Sequence, residues 1–310
     1  MPIKICFHGA LLTGRRLSRP LACCLMMGAA VSAADGPPKI PDLRNPSFKE
    51  ACPPGNSNAA MGIIVPAYIY PGMGRWPGLE KAARRALKTD LIAIANPYNG
   101  PGEQIDPNYT EAINSLRSAG GRVIGYVHTS YERRPIEAVK KDVELWYGRY
   151  RVDGIFIDET PAAASTYYDD LFEHIQKTHR SIRRKKSAKA AQEAVVVYNP
   201  GTYERDNRYP VGEKGSVCIF ENSKGAEEFL GGLDGEDPSR HCLLAYAVSH
   251  ENEAKAIVDA AAGRGIGWVY VTDDGGRDRN PWDSLPAYFQ AMAAYIAACN
   301  SVSAGQTSAP

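Results

Sequence analysis

A chain of 310 residues with a formal net charge of +1, 44% apolar and 23% charged side chains, can bury a large core and lacks the basic excess of a nucleic-acid binder. The length suits one α/β barrel of about 250 residues with short extensions. Beyond the N-terminal region, no stretch reaches the roughly 20 apolar residues that a membrane-spanning helix needs.

Lys4, Arg15, Arg16 and Arg19 precede an apolar run from Pro20 to Val31, and Ser32-Ala33-Ala34 offers small residues for cleavage before Asp35. Residues 1–34 are therefore expected to be an export signal, and the protein secreted or periplasmic. Arg15-Arg16 fits a twin-arginine signal poorly, and Pro20-Leu21-Ala22 is a poor approach to a lipoprotein site at Cys23. Cleavage removes Cys6, Cys23 and Cys24 and leaves Cys52, Cys218, Cys242 and Cys299. An even set in an exported protein invites disulfides, whereas Cys218 and Cys242, set in apolar runs, equally suit buried thiols of neighbouring strands. Residues 35–60, rich in Pro, Asn and Ser, read as linker and lead-in.

From Met61 a strand-like run followed by a helix-like run recurs about every 25 to 35 residues. The strand candidates are Gly62 to Ile69, Leu91 to Ala95, Arg122 to Val127, Gly154 to Ile157, Ala194 to Tyr198, Val217 to Phe220, Leu243 to Val248 and Gly267 to Val271. Eight closes a single parallel (β/α)8 TIM barrel, expected over residues 61–299. Helical spacing is clear in Leu79 to Lys88, Tyr109 to Ala119, Ile136 to Tyr150, Tyr167 to Arg183, Glu253 to Ala262 and Leu285 to Ala298. After the fifth and sixth strands it is weak. The basic run Arg180 to Lys189 suits a solvated helix end and loop, and residues 300–310 a disordered tail.

The fourth strand, Gly154-Ile155-Phe156-Ile157, ends on Asp158-Glu159, at the rim where barrels bind their ligands. The other strand ends add Tyr68 and Tyr70, Asn96, His128 with Tyr131, Asn199, Glu221, and Asp273-Asp274, with Trp282 close behind. Aromatic rings stack on the C–H faces of sugars, amides and carboxylates bind hydroxyls, and cleaving a glycosidic bond takes two carboxyl groups flanking it. Asp158 and Glu221, with one strand between theirs, can face each other across the mouth. A gap of about 5 Å predicts retention of configuration and one of about 6.5 to 9.5 Å inversion.

Each residue has a plainer reading. Asp158 or Glu159 can cap the next helix, Glu221 can pair with Arg208 or Lys224 on the surface, and Asp273-Asp274 or Asn199-Pro200-Gly201 can shape turns. Tyr126 reads as packing and Tyr68 as packing or rim. No second His or Cys stands at ligand spacing from His128, so no metal and no cofactor is expected. Neither a Gly-x-Ser-x-Gly elbow nor a phosphate loop occurs, which lowers serine hydrolases and nucleotide enzymes.

Gly62-Ile63-Ile64-Val65-Pro66-Ala67-Tyr68-Ile69-Tyr70-Pro71, Ala95-Asn96-Pro97, Gly125-Tyr126-Val127-His128-Thr129, Asp153 to Glu159, Tyr198-Asn199-Pro200-Gly201, Phe220-Glu221, Trp268 to Asp274 and Asn280-Pro281-Trp282 together resemble the spherulin-4-like (spherulation-specific family 4) proteins over about Met61 to Ile296. The resemblance implies a (β/α)8 barrel and hydrolysis of α-1,4-linked galactosamine and N-acetylgalactosamine polysaccharides of microbial biofilms. It implies catalytic carboxylates at Asp158, with Glu159 beside it, and at Glu221. Lys224 to Pro238 departs from the family's aromatic-rich pattern, which puts substrate preference in question more than chemistry.

The expectation is thus a secreted, endo-acting, retaining glycoside hydrolase, a monomer, with an amino-sugar polysaccharide as its partner. Asp158 acts as nucleophile or orients a substrate acetamide, Glu221 is the acid and base, and the remaining rim residues bind sugar. The alternatives are a non-catalytic carbohydrate-binding or cell-surface protein of the same fold, and a barrel hydrolase acting on another glycan.

Overall fold

Eight short apolar runs pair side by side into a closed ring. In this computed structural model, which describes residues 48, 60–85, 89–183, 193–205, 208–233, 237–275 and 280–306, they are β1 (Gly62–Ala67), β2 (Leu91–Ala95), β3 (Arg122–His128), β4 (Gly154–Asp158), β5 (Val195–Tyr198), β6 (Ser216–Asn222), β7 (His241–Ala245) and β8 (Trp268–Val271). All pairs are parallel and follow sequence order, and β8 closes back on β1. The expected signal and nearly all of the expected linker lie outside the described residues.

The strands are legible because they are buried on both faces. β2 reads Leu-Ile-Ala-Ile-Ala and is buried at every position, the signature of a parallel strand between a barrel interior and a helical layer. That layer comprises α1 (Pro77–Arg85), α2 (Pro107–Ser118), α3 (Ile136–Tyr150), α4 (Thr166–Arg183), α5 (Ala226–Gly231), α6 (Glu251–Arg264) and α7 (Phe289–Gln306). α2 starts on an Asp106 cap, whose carboxylate accepts from the Asn108 and Tyr109 amides, with Pro107 at the first helical position. α6 stops at Gly265, left-handed at φ 73°, where its N–H returns to the Ala261 and Ala262 carbonyls.

The weak pattern after the fifth and sixth strands has its counterpart. Among the described residues no helix joins β5 to β6, and only the six-residue α5 and a three-residue 3-10 turn, Pro238–Arg240, lie between β6 and β7. The C-terminal end is a correction: α7 runs through Gln306, so residues 300–306 continue a helix, and 307–310 of the expected tail lie outside the described residues. The basic run enters α4 at Arg180 and leaves the described residues at 184. Cys218 and Cys242 are register partners on β6 and β7, buried and free, while Cys299 is disulfide-bonded. No helix among the described residues is long and apolar enough to cross a membrane.

Close approach at the strand starts is met by glycine. At Gly154, the first residue of β4, a Cβ would run into the Val195 carbonyl of β5, so the two strands meet there only because no side chain stands between them.

Candidate active site

Asp158 is the last residue of β4, two positions beyond Phe156, so strand alternation aims both to the barrel interior. Its register partner on β3 is His128, and Tyr126, two positions before, stacks on Phe156 with ring centroids 6.3 Å apart. The Tyr126 hydroxyl donates to Asp158 Oδ2 at 2.8 Å. The sequence treats Tyr126 as packing. Its hydroxyl reaches Asp158 because the neighbouring strand ends on that acid just above it.

Glu221 reaches the mouth by another device. Plain alternation along β6 would put Cys218, Phe220 and Asn222 on one face and Glu221 on the other. The register with β7 shifts between Cys218 and Phe220, and this bulge resets the phase. Phe220 turns outward onto Phe229 of α5, ring centroids 5.2 Å apart. Cys218 and Glu221 both face inward, where the Glu221 carboxylate adds its charge to the surroundings of Tyr68.

Asn199, the residue after β5, joins the two acids. Its side-chain nitrogen donates to Asp158 Oδ1 at 2.8 Å and to Glu221 Oε2 at 2.6 Å. One nitrogen reaching both places those oxygens no farther apart than the sum of the two bonds, 5.4 Å. Asn199 is only 5% exposed, and its Oδ1 has no partner, so the amide is oriented by the carboxylates alone. A residue expected to bind sugar thus bridges the acid pair.

Both acids keep some solvent contact at the mouth while protein closes round them elsewhere. Burial, with the Asp158 charge next, pushes the Glu221 carboxyl up to about 7, against donors from Asn199 and the Trp282 indole. Burial also raises Asp158, against hydrogen bonds from Tyr126, the Glu159 amide and Asn199. Two close carboxylates resist joint ionisation, so the pair gives up its last proton less readily than a free carboxyl does.

The neighbouring calls fall into two groups. Glu159, left-handed at φ 51°, sets Oε2 3.4 Å from His128 Nδ1. Burial and the Arg134 guanidinium hold that imidazole below its usual range, against the pull of Glu159. The Tyr68 hydroxyl is pushed up by burial and then by Asp158 and Glu221, and its ring meets Tyr126 edge-on at 5.6 Å. Tyr131 is 54% exposed, and its hydroxyl is raised by burial and by Glu159, Asp158 and Glu221 in turn. These residues and Trp282 surround the pair.

The others are engaged by their own loops. Asp273 Oδ2 accepts from the Ala287 amide at 3.1 Å and Asp274 Oδ2 from the Ser284 hydroxyl at 2.8 Å, tying down the loop after β8. Asn96 Oδ1 accepts from the Gly100 amide at 2.9 Å. Tyr70 bonds to Asp106 and Asn108, in a separate hollow beside the mouth.

Backbone strain gathers at the same rim. Of eight non-glycine residues with positive φ among those described, seven lie in loops after strands: Met73, Asn99, Ser130, Tyr131, Glu132, Glu159 and Ala247. Such conformations cost about 1 to 3 kcal/mol each and concentrate where a site dictates the chain's path. The eighth, Arg151, ends α3.

Fold and site together define a (β/α)8-barrel protein with a carboxylate pair bridged across its C-terminal mouth. Comparison with known proteins carries this further. The chain belongs to spherulation-specific family 4, whose family model matches residues 62–296. It is 33% identical over 171 residues to Spherulin-4 of Physarum polycephalum, a match covering 54% of this chain and 46% of that protein; the chain thus spans about half the length of that relative. Among solved structures it resembles Aspergillus clavatus Sph3 in complex with GalNAc, with a TM-score of 0.60 and 22% identity over 77% of this chain and 98% of that one. That likeness establishes a common barrel.

Proposed function

We propose that this chain is an exported glycoside hydrolase that cuts within α-1,4-linked galactosamine and N-acetylgalactosamine polysaccharides, with retention of configuration. The observation that carries the reading is the Asn199 bridge, which holds an oxygen of Asp158 and one of Glu221 within 5.4 Å. Retaining enzymes set their carboxyls about 5 to 5.5 Å apart, whereas inverting ones leave about 6.5 to 9.5 Å for a water.

The roles follow from the environments. Glu221, held up to about 7, carries the proton and gives it to the glycosidic oxygen as the bond to the anomeric carbon breaks. Asp158, which accepts hydrogen bonds from Tyr126 and Asn199, attacks that carbon and forms a glycosyl ester. Glu221, now ionised, takes a proton from water. The hydroxide equivalent displaces Asp158, and both acids return to their starting states.

Support for an amino sugar comes from family membership, from the GalNAc in the Sph3 complex and from Glu159 beside the pair, whose charge suits a free ammonium. Support for export comes from the basic residues and apolar run of residues 1–34.

Asp158→Asn and Glu221→Gln, incubated separately with a partly deacetylated α-1,4-galactosamine polymer, should each lose at least about 10³-fold in release of reducing ends, with unchanged circular dichroism. Full activity in either variant removes the assignment. NMR of the first product should show the α anomer, and the β anomer would mean inversion. Cleavage of neutral glucans in preference to the amino-sugar polymer would redirect the substrate.

A further inference from the structure

Next to the mouth, beyond the ends of β1 and β2, lies a hollow of about 880 Å³ whose walls include Tyr70, Tyr98, Gly102, Glu103, Asp106 and Asp142. Its volume falls within the range of small-ligand sites, about 300 to 1,000 Å³. Two aromatic rings stand open to it, Tyr70 at 57% and Tyr98 at 67% exposure. A lone exposed tyrosine is unremarkable on a surface; two lining one concavity are not explained by packing.

Both rings are held. The Tyr70 hydroxyl donates to Asp106 Oδ2 at 3.2 Å and accepts from Asn108 Nδ2 at 2.8 Å, and its ring meets Tyr109 edge-on at 5.8 Å. The Tyr98 ring lies against Gly102, where a Cβ would come within 2.9 Å of it and where φ is +74°, so a glycine is needed for both space and backbone. The loop carrying Tyr98 is stapled from α3. Arg149 donates to the Gly102 carbonyl at 2.6 Å and the Glu103 carbonyl at 2.8 Å, and the Tyr150 hydroxyl accepts from the Asp106 amide at 2.9 Å. The rings are thus ordered before anything binds, which removes part of the entropy cost of binding.

The hollow also adjoins the site along the chain. Tyr68, at the end of β1, is turned toward both carboxylates, and Tyr70, two residues on, lines the hollow. A polymer running from the acid pair along this loop would reach the hollow that Tyr70 and Tyr98 share. Among the described residues lining the hollow none is basic, while Glu103, Asp106 and Asp142 are acidic; Asp142 is paired with Arg134 at 2.7 Å and Asp106 caps α2 and accepts from Tyr70, so Glu103 is the carboxylate that neither contact engages.

We infer that this hollow is an outlying subsite for the same polysaccharide, stacking a sugar unit remote from the scissile bond on Tyr98 and Tyr70 and favouring one with a free amine. The inference rests on the hydrolase reading and deepens it. Sugar C–H faces cover the rings, and Glu103 accepts from hydroxyl or ammonium groups.

The test combines binding with turnover. In the Glu221→Gln background, Tyr98→Ala should weaken binding of the partly deacetylated polymer about tenfold by calorimetry, and Tyr98→Phe should bind within about twofold of the parent, because stacking needs the ring and not the hydroxyl. With Glu221 intact, Tyr98→Ala should lower the ratio of turnover on long chains to turnover on short oligomers by a similar factor. Tyr70→Ala is the second variant and should lower the same ratio. An unchanged ratio in both alanine variants, with the parent still cutting polymer, overturns the subsite and leaves the hydrolase reading standing. A parent that neither binds nor cuts the polymer overturns both. Equal binding of fully acetylated and deacetylated chains overturns the preference for a free amine.

Discussion

Asn199 fixes the spacing of the acid pair, and burial holds the pair's proton. Each hydrogen of its amide favours an ionised carboxylate, burial opposes ionisation, and the Asp158 charge tips the balance at Glu221. A carboxyl raised from an ordinary 4.5 to about 7 contributes stability that is fully present below the unfolded value and is lost as pH rises through the folded one. At most, that loss is about 3 kcal/mol, reduced by the screening its remaining solvent contact allows. Glu221→Gln keeps the shape and cannot ionise. Its melting temperature should match the parent near pH 4.5 and exceed it increasingly up to pH 8; a difference independent of pH would mean that Glu221 ionises as freely as it does in the unfolded chain. Tyr126→Phe acts on the other acid. It removes a 2.8 Å donor to Asp158, so the Asp158 value rises further and the acidic limb of the pH–rate profile should move to higher pH. The basic limb, governed by Glu221, should stay in place.

At the scale of elements, the barrel depends on backbones that approach closely and on one interruption. Gly154→Ala would press a Cβ on the Val195 carbonyl of β5, and because a strand backbone yields little, the variant should lose about 1 to 3 kcal/mol in urea unfolding. A neutral result would show that β4 and β5 can part without cost. The strands could be read in the sequence because burial on both faces leaves continuous apolar runs such as Leu91 to Ala95. The same property hides the bulge in β6: Val217-Cys218-Ile219-Phe220 is apolar throughout, so no alternation marks where the phase slips and Glu221 turns inward. Strand ends could also be read, and they placed Asp158, Glu221, Asn199 and Tyr68 on one rim. Which way round that rim each residue faces could not. That angle separates Tyr70 and Asn96 from the pair and makes scaffold contacts of Asp273 and Asp274. Tyr126 went unread as a donor because nothing in an apolar strand distinguishes a hydroxyl that bonds an acid from one that fills a gap.

Across the whole molecule, a formal charge of +1 conceals an uneven distribution. Asp158, Glu159 and Glu221 stand at the mouth with Arg133 over the Tyr131 ring, and Glu103, Asp106 and Asp142, the last paired with Arg134, line the adjoining hollow. Arg122, Lys214 and Arg240 lie with Asp90 and Glu213 around a hollow of about 590 Å³ at the opposite rim, the end of such barrels that serves stability. There the Arg122 guanidinium stacks on Trp268 at 5.6 Å. The acids at the mouth would draw in a cationic chain over a range set by salt, with a screening length of about 30 Å at 0.01 M and about 3 Å at 1 M. A neutral chain would feel no such pull. Accordingly, kcat/KM on a deacetylated galactosamine polymer should fall steeply as salt rises from 10 mM to 500 mM, mainly through KM, while the value on the fully acetylated polymer stays flat. Glu103→Gln, a change at the hollow and away from the acid pair, should reduce that slope. Equal salt dependence on both polymers would locate recognition in contact chemistry at the mouth and leave no part for the long-range field.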